Sequence, residues 1–141
     1  MPTIEDVLRD LLETTRASRV TLRRDLPGER PFPVVEEVLA PGVGSIRDEA
    51  SVHLPSQPVV LRVQRGAQVV QDDSASAYDD PAFQRMLEAY GGLAAQIVTP
   101  VMLEGRLEAI LSLHQLGAPR EWTPEEVAAA SRAAERVRDL L

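Results

Sequence analysis

Two apolar runs of strand length, Gln96–Leu103 and Arg106–His114, stand on either side of the dipeptide Glu104-Gly105. Two loop residues with glycine second select a tight antiparallel hairpin. Leu103 then pairs with Arg106 and Met102 with Leu107. Side chains alternate strictly along a strand, so this register assigns every later residue to a face. One face carries Val98, Pro100, Met102, Leu107, Ala109, Leu111 and Leu113, and is expected to meet helices. The other carries Ile97, Thr99, Val101, Ile110, Ser112 and His114, a mixture of apolar and hydrogen-bonding groups such as pockets use. A Pro-Arg-Trp linker follows, then Thr123-Pro124-Glu125-Glu126. Threonine as cap, proline at the first helical position and glutamate three residues after the cap form a capping box. That start predicts a helix running to the C-terminus.

Upstream, Thr3 is placed to cap a first helix, with Ile4, Val7, Leu8, Leu11 and Leu12 on one stripe. Arg19–Arg24 reads as a strand with Val20 and Leu22 on one face, and Val34–Leu39 as a second. Between them lies the turn cluster Leu26–Pro31. Pro41–Gln57 is rich in Gly, Pro and Ser and reads as a long loop, with a short strand near Ser51–Leu54. Pro58–Arg65 fits a short helix started by Pro58 and stopped by Gly66, although its valines also favour a strand. Ala67–Gln71 reads as a strand, Asp72–Asp79 as an acidic loop, and Pro81–Tyr90 as a helix ended by Gly91-Gly92.

At 141 residues the chain fits one domain, residues 1–141. Its net charge of −7 speaks against non-specific binding to nucleic acid or anionic lipid, which relies on a basic surface. No apolar run reaches the roughly 20 residues of a membrane helix. The acidic start MPTIEDVLRD lacks the pattern of a signal peptide, so a cytoplasmic location is expected. Met1 reads as a natural start, either of a standalone protein or of the N-terminal piece of a sensor. The chain contains no Cys, no Lys and no Asn. Disulfides, thiolate chemistry and Schiff bases are therefore excluded. No nucleophile–base pair, phosphate loop or His-rich metal motif stands out, so no enzymatic activity is expected.

The order helix, two strands, loop with short helix, strand, helix, hairpin and long helix resembles the GAF domain family. The resemblance rests on Val69-Val70-Gln71-Asp72, Val98-Thr99-Pro100-Val101, the turn residue Gly105, and Ser112–Trp122 running into Glu125. The closing LHQLGAPREWTPEE is similar to GAF modules of phytochrome-like and histidine-kinase sensors. The resemblance implies an α+β fold with a central antiparallel sheet of roughly five to six strands. It also implies N- and C-terminal helices packed on one face, with loops and short helices over a pocket on the other. The implied function is a non-enzymatic sensory or regulatory module, in transcription regulation or a two-component system. It would bind a small ligand or a partner and signal through its terminal helices. The implied alternatives are a ligand-free structural dimerisation module and a non-covalent tetrapyrrole sensor, with bilin or haem. Cyclic-nucleotide GAF domains use an Asn-Lys pattern and covalent bilins a cysteine, and this chain has neither. The sequence names no cofactor.

Each site residue has a plainer role beside the functional one. His114 leads the pocket set with Ser112, Thr99 and Ile110; the matching histidine of phytochrome-like relatives contacts bilin, but a strand-end histidine can simply bond a backbone group. Tyr78, Phe83 and Tyr90 could stack on a flat ligand or, with Met86, form core. Asp72, Asp73, Asp79 and Asp80 lack calcium-loop spacing and read as solvated charges and a helix cap. His53 and His114 would need a third ligand to hold a metal, so no metal site is expected. Arg120 reads as a surface charge and Trp122 as a plug under the last helix. In that helix Val127, Ala130, Ala134, Val137 and Leu141 form a two-heptad stripe. With Leu8 and Leu11 of the first helix, they are the expected homodimer interface, unless the stripe packs on the sheet. The expected partners are a second copy, a small molecule and an output protein in trans, with no nucleic acid and no membrane.

Overall fold

The computed structural model describes residues 1–28 and 30–141. Helix α1 (Ile4–Thr15) starts at Thr3, whose hydroxyl accepts from the Asp6 amide while the Asp6 carboxylate accepts from the Thr3 amide. Strands β1 (Arg19–Arg24) and β2 (Val34–Leu39) follow, then α2 (Pro58–Val63), β3 (Val69–Gln71), α3 (Pro81–Ala89), β4 (Leu93–Leu103), β5 (Arg106–Leu116) and α4 (Pro124–Leu140). The five strands form one sheet in the order β2-β1-β5-β4-β3, with every neighbouring pair antiparallel. Segment 41–57 makes a 3-10 turn at Leu54–Ser56 in place of the strand expected near Ser51–Leu54. Pro55 lies inside that turn and lacks the amide a strand ladder would need.

The sheet is covered on both faces. On one, α1 and α4 close a core with Val20, Leu22, Ile97, Leu111 and Leu113. On the other, α2, α3 and the long loop close a second core around Val60, Val63, Phe83, Val98 and Ile110. This is the expected α+β arrangement.

The hairpin register holds at the turn, where Leu103 pairs with Arg106 and Met102 with Leu107. One step on, Val101 pairs with Ala109, so Glu108 is an extra residue in β5. A single inserted residue exchanges the faces of everything beyond it. The expected assignment of β4 is therefore reversed. Ile97, Thr99 and Val101 lie on the α1–α4 side, while Val98, Pro100 and Met102 lie on the α2–α3 side with Gln96. In β5, Ala109, Leu111 and Leu113 meet the terminal helices as expected, but Leu107 joins the opposite core. The bulge has a clear holder: the Glu108 carboxylate accepts from Arg24 at 3.4 Å and from Arg106 at 3.2 Å, and its carbonyl accepts from the Asp25 amide at 3.0 Å.

The α4 stripe is also reassigned. Ala130, Ala134 and Val137 are buried in the chain's own core with Leu8 and Leu11, and Val127 and Leu141 pack against the same core. The stripe is the helix's core-facing side, which leaves it no surface for a second copy. Ala130→Leu is expected to lower the unfolding free energy of the single chain by about 1–3 kcal/mol in urea through overpacking. Unchanged stability with altered self-association would return the stripe to a dimer seam.

Candidate functional site

β1 lies between β2 and β5, and because the sheet is covered on both sides its residues Arg19–Arg23 are all buried. Val20 and Leu22 enter the terminal-helix core, which turns Arg19, Thr21 and Arg23 towards α2 and α3. Arg19 and Thr21 face polar residues on β5, whereas Arg23 stands opposite Ile110. One row runs Arg19, His114, Gln96, Gln71, and the next runs Thr21, Ser112, Val98, Val69. The polar members of both rows are buried.

Arg19 is only 1% exposed. Its Nε donates to His114 Nδ1 at 3.1 Å, Nη1 to the Gly44 carbonyl at 2.9 Å and Nη2 to the Tyr90 carbonyl at 2.7 Å. Among the described residues no carboxylate lies within 4.0 Å of its guanidinium. Burial lowers its pKa, and the more distant Glu37 carboxylate works the other way. Arg19 thus ties the sheet to the long loop and to the end of α3.

His114 Nδ1 accepts a hydrogen bond from Arg19 Nε, so the ring is neutral and carries its own proton on Nε2. Burial, then the charges of Arg19 and Arg23, hold its pKa well below the ordinary histidine value. The Tyr90 ring stacks on it at 5.9 Å between centroids. The Tyr90 hydroxyl accepts from Arg23 Nη2 at 3.0 Å, and burial pushes the phenol's pKa up. Gln96 Nε2 donates to Gln71 Oε1 at 2.9 Å.

These groups floor a cavity of about 40 Å³. Thr21, Arg23, Gln96, Ser112 and His114 supply its polar side; Val59 and Val60 of α2, Met86 of α3, Tyr90 at the end of α3 and Leu54 of the long loop roof it. Gln57, the residue before α2, also lines it. Thr21 Oγ1 and Gln57 Oε1 are buried with no hydrogen-bond partner, and such groups cost about 1–3 kcal/mol each when left unpaired. The cavity therefore favours a small polar species that donates to Gln57 Oε1 and exchanges a hydrogen bond with the Thr21 hydroxyl.

Of the expected pocket residues, Ser112, His114, Ile110 and Tyr90 line this cavity. Thr99 does not: the bulge puts it on the opposite face, where it accepts from Gln68 Nε2 at 3.0 Å. Phe83 is fully buried core, and Tyr78 meets it edge-on at 5.0 Å, away from the cavity lining. Asp80 caps α3 and Asp72 accepts from the Trp122 amide. His53 is exposed and bonded to Ser56, and the described residues bring no three metal-ligating groups together. Sequence reasoning overlooked Arg19, Thr21, Arg23, Gln57 and Gln96. The signal for the first three was the alternation Arg-Val-Thr-Leu-Arg, whose polar half reads as solvated unless β1 is known to be central.

Arg120 is more than a surface charge. It stacks on Trp122 at 4.4 Å, donates to Gln115 Oε1 at 3.0 Å, and bonds the Thr15 carbonyl and the Glu126 carboxylate. Trp122 Nε1 donates to the Gln71 carbonyl at 3.0 Å. The end of α1, the start of α4, the central strand β5 and the edge strand β3 are joined at this point.

The family model for the GAF domain matches residues 2–138. Solved structures with the same fold include the photoproduct state of GAF3 from Slr1393 of Synechocystis sp. PCC6803, at 19% identity and a TM-score of 0.75, covering 96% of this chain and 91% of that one. The blue-light-absorbing form of the Thermosynechococcus elongatus PixJ GAF domain is 21% identical with a TM-score of 0.75, covering 97% and 83%. The far-red-absorbing dark state of JSC1_58120g3 with bound biliverdin IXa is 16% identical with a TM-score of 0.76, covering 99% and 92%. No curated protein matches the chain.

The neutral His114 makes stability depend on pH in a defined window. Its folded pKa lies below the unfolded value, so its contribution is complete above about pH 6.5 and is lost as pH falls, at up to about 1.4 kcal/mol per unit. The lowered carboxylates, such as Glu49 and Glu108, act only below their own ordinary range. Urea melts between pH 7 and pH 5 should show the loss, and His114→Gln should flatten it. A His114 ring that titrates near its ordinary value by NMR would contradict the Arg19 bond.

Proposed function

As the chain belongs to the GAF domain family, we propose that it is a non-enzymatic sensory or regulatory module that binds a small polar ligand between the sheet and α2–α3. The observation that carries this is the pair of unpartnered buried acceptors, Thr21 Oγ1 and Gln57 Oε1, in the wall of one cavity. His114 Nε2–H and Ser112 add further hydrogen-bonding groups. A ligand that engages this floor acts on the row Arg19, His114, Gln96, Gln71. From Gln71 the chain of contacts continues through Trp122 and Arg120 to the ends of α1 and α4. Ligand binding then shifts the packing of the terminal helices, which present the output to a partner protein or a second copy. A homodimer formed there uses the outer faces of α1 and α4, around the Asp10–Arg136 pair at 3.3 Å, since the inner stripe is consumed. The absence of Cys and Lys supports a role without covalent catalysis.

The volume of the cavity speaks against a tetrapyrrole. Ligand pockets of that class measure several hundred Å³, on the order of 300–1,000, and this cavity holds about 40 Å³. His114 is also engaged at Nδ1, and there is no cysteine to attach a bilin.

The same small volume favours a second reading, a ligand-free dimerisation module whose pocket is filled by Phe83, Tyr90 and Ile110. Native mass spectrometry with an absorption spectrum separates the two. The sensory reading expects a retained small mass and no visible absorption band, with that mass lost in Thr21→Val. A bare chain in both proteins, with self-association intact, supports the structural module; a visible chromophore overturns the cavity argument.

A further inference from the structure

Arg23 separates the cavity from a second space. On its outer side a groove of about 220 Å³ opens to the surface, lined by Arg23, Arg30 and Arg47 with Glu49 and His53. Arg23 is 8% exposed, yet it spends its donors on neutral groups: Nη1 on the Phe32 carbonyl at 3.0 Å and Nη2 on the Tyr90 hydroxyl at 3.0 Å. Among the described residues, Nε makes no hydrogen bond. Arg30 donates only to the carbonyls of Arg47 and Asp48, at 3.4 and 3.3 Å. None of the three guanidiniums has a carboxylate within 4.0 Å among the described residues. Among the described residues Glu49 is the one acid lining the groove; its Oε1 accepts from the amide and hydroxyl of Ser51, and the more distant Arg23 charge helps to lower its pKa. Three guanidiniums against one carboxylate make a cationic groove in a chain whose net charge is −7. A buried cation without an acid partner is costly, and an arriving anion removes that cost. The planar guanidinium fork suits the tetrahedral oxygens of phosphate, which several arginines can share.

We propose that this groove binds the phosphate group of a small soluble molecule through Arg23, Arg30 and Arg47. The phosphate takes the free Nε–H of Arg23 from the groove side, which leaves the bond from Arg23 to Tyr90 in place. The site goes beyond the cavity described above and shares with it only Arg23 and Leu54. Failure here therefore leaves the cavity proposal standing, and a dry cavity leaves this one standing.

The test is a titration of isotope-labelled protein with inorganic phosphate, read on backbone amides and arginine Nε–H signals, against sodium chloride at matched ionic strength. Saturable shifts are expected at Arg23 Nε–H and along residues 47–54. Arg30→Ala/Arg47→Ala, in which both residues are exposed and the fold is verified by the same spectra, should weaken binding by at least about tenfold. Shifts that do not saturate, that sodium chloride reproduces, or that persist at equal affinity in the double variant would overturn the proposal.

Discussion

β1 is covered on both faces, and the chemistry of the molecule follows from that. A strand in this position must bury each of its side chains. Val20 and Leu22 do so cheaply under the terminal helices, whereas Arg19, Thr21 and Arg23 cannot. Their polar atoms need partners inside the protein, and the sheet supplies His114 to Arg19. The loops supply the rest through carbonyls of Gly44, Phe32 and Tyr90. What remains unpaired, at Thr21 and at Gln57, borders the cavity, and Arg23 stands between that cavity and the outer groove.

The same arrangement links the ligand side to the helical side. Arg19 and Arg120 stand at opposite ends of a row of polar residues that are neighbours in the sheet. Arg19 fixes the long loop and α3 to β1, and Arg120 fixes α1 and α4 to β5 by a carbonyl, a carboxylate and an amide. Between them lie two glutamines and a tryptophan whose indole bonds the β3 backbone. Such a row links the two layers through hydrogen bonds, strand pairing and the stacking of Arg120 on Trp122. A rearrangement on one side changes the bonds available on the other.

Much of this was legible in the amino-acid order. Thr3 and Thr123 mark their helices because capping chemistry is local, and Glu104-Gly105 fixes its turn for the same reason. β1 and β2 were found at their observed limits. The bulge at Glu108 was not legible, because what holds it is Arg24, more than eighty residues away. Thr99 was misassigned as a direct result. The α4 stripe showed its spacing plainly, but spacing does not say whether the partner is a sheet or another helix, and here it is the chain's own core. Arg120 looked like a surface charge because its strongest acceptors, Thr15 and Glu126, become neighbours only in the fold.

Which side of the sheet each residue occupies decides whether there is a polar site at all. Methyl-to-methyl NOEs in a selectively labelled sample measure this directly. The account predicts that the methyls of Thr21 and Ile110 contact Val60 of α2, while the Thr99 methyl contacts Ala134 of α4. Contacts from Thr99 to Val60, with Thr21 and Ile110 against the terminal helices, would reverse the faces and remove the site.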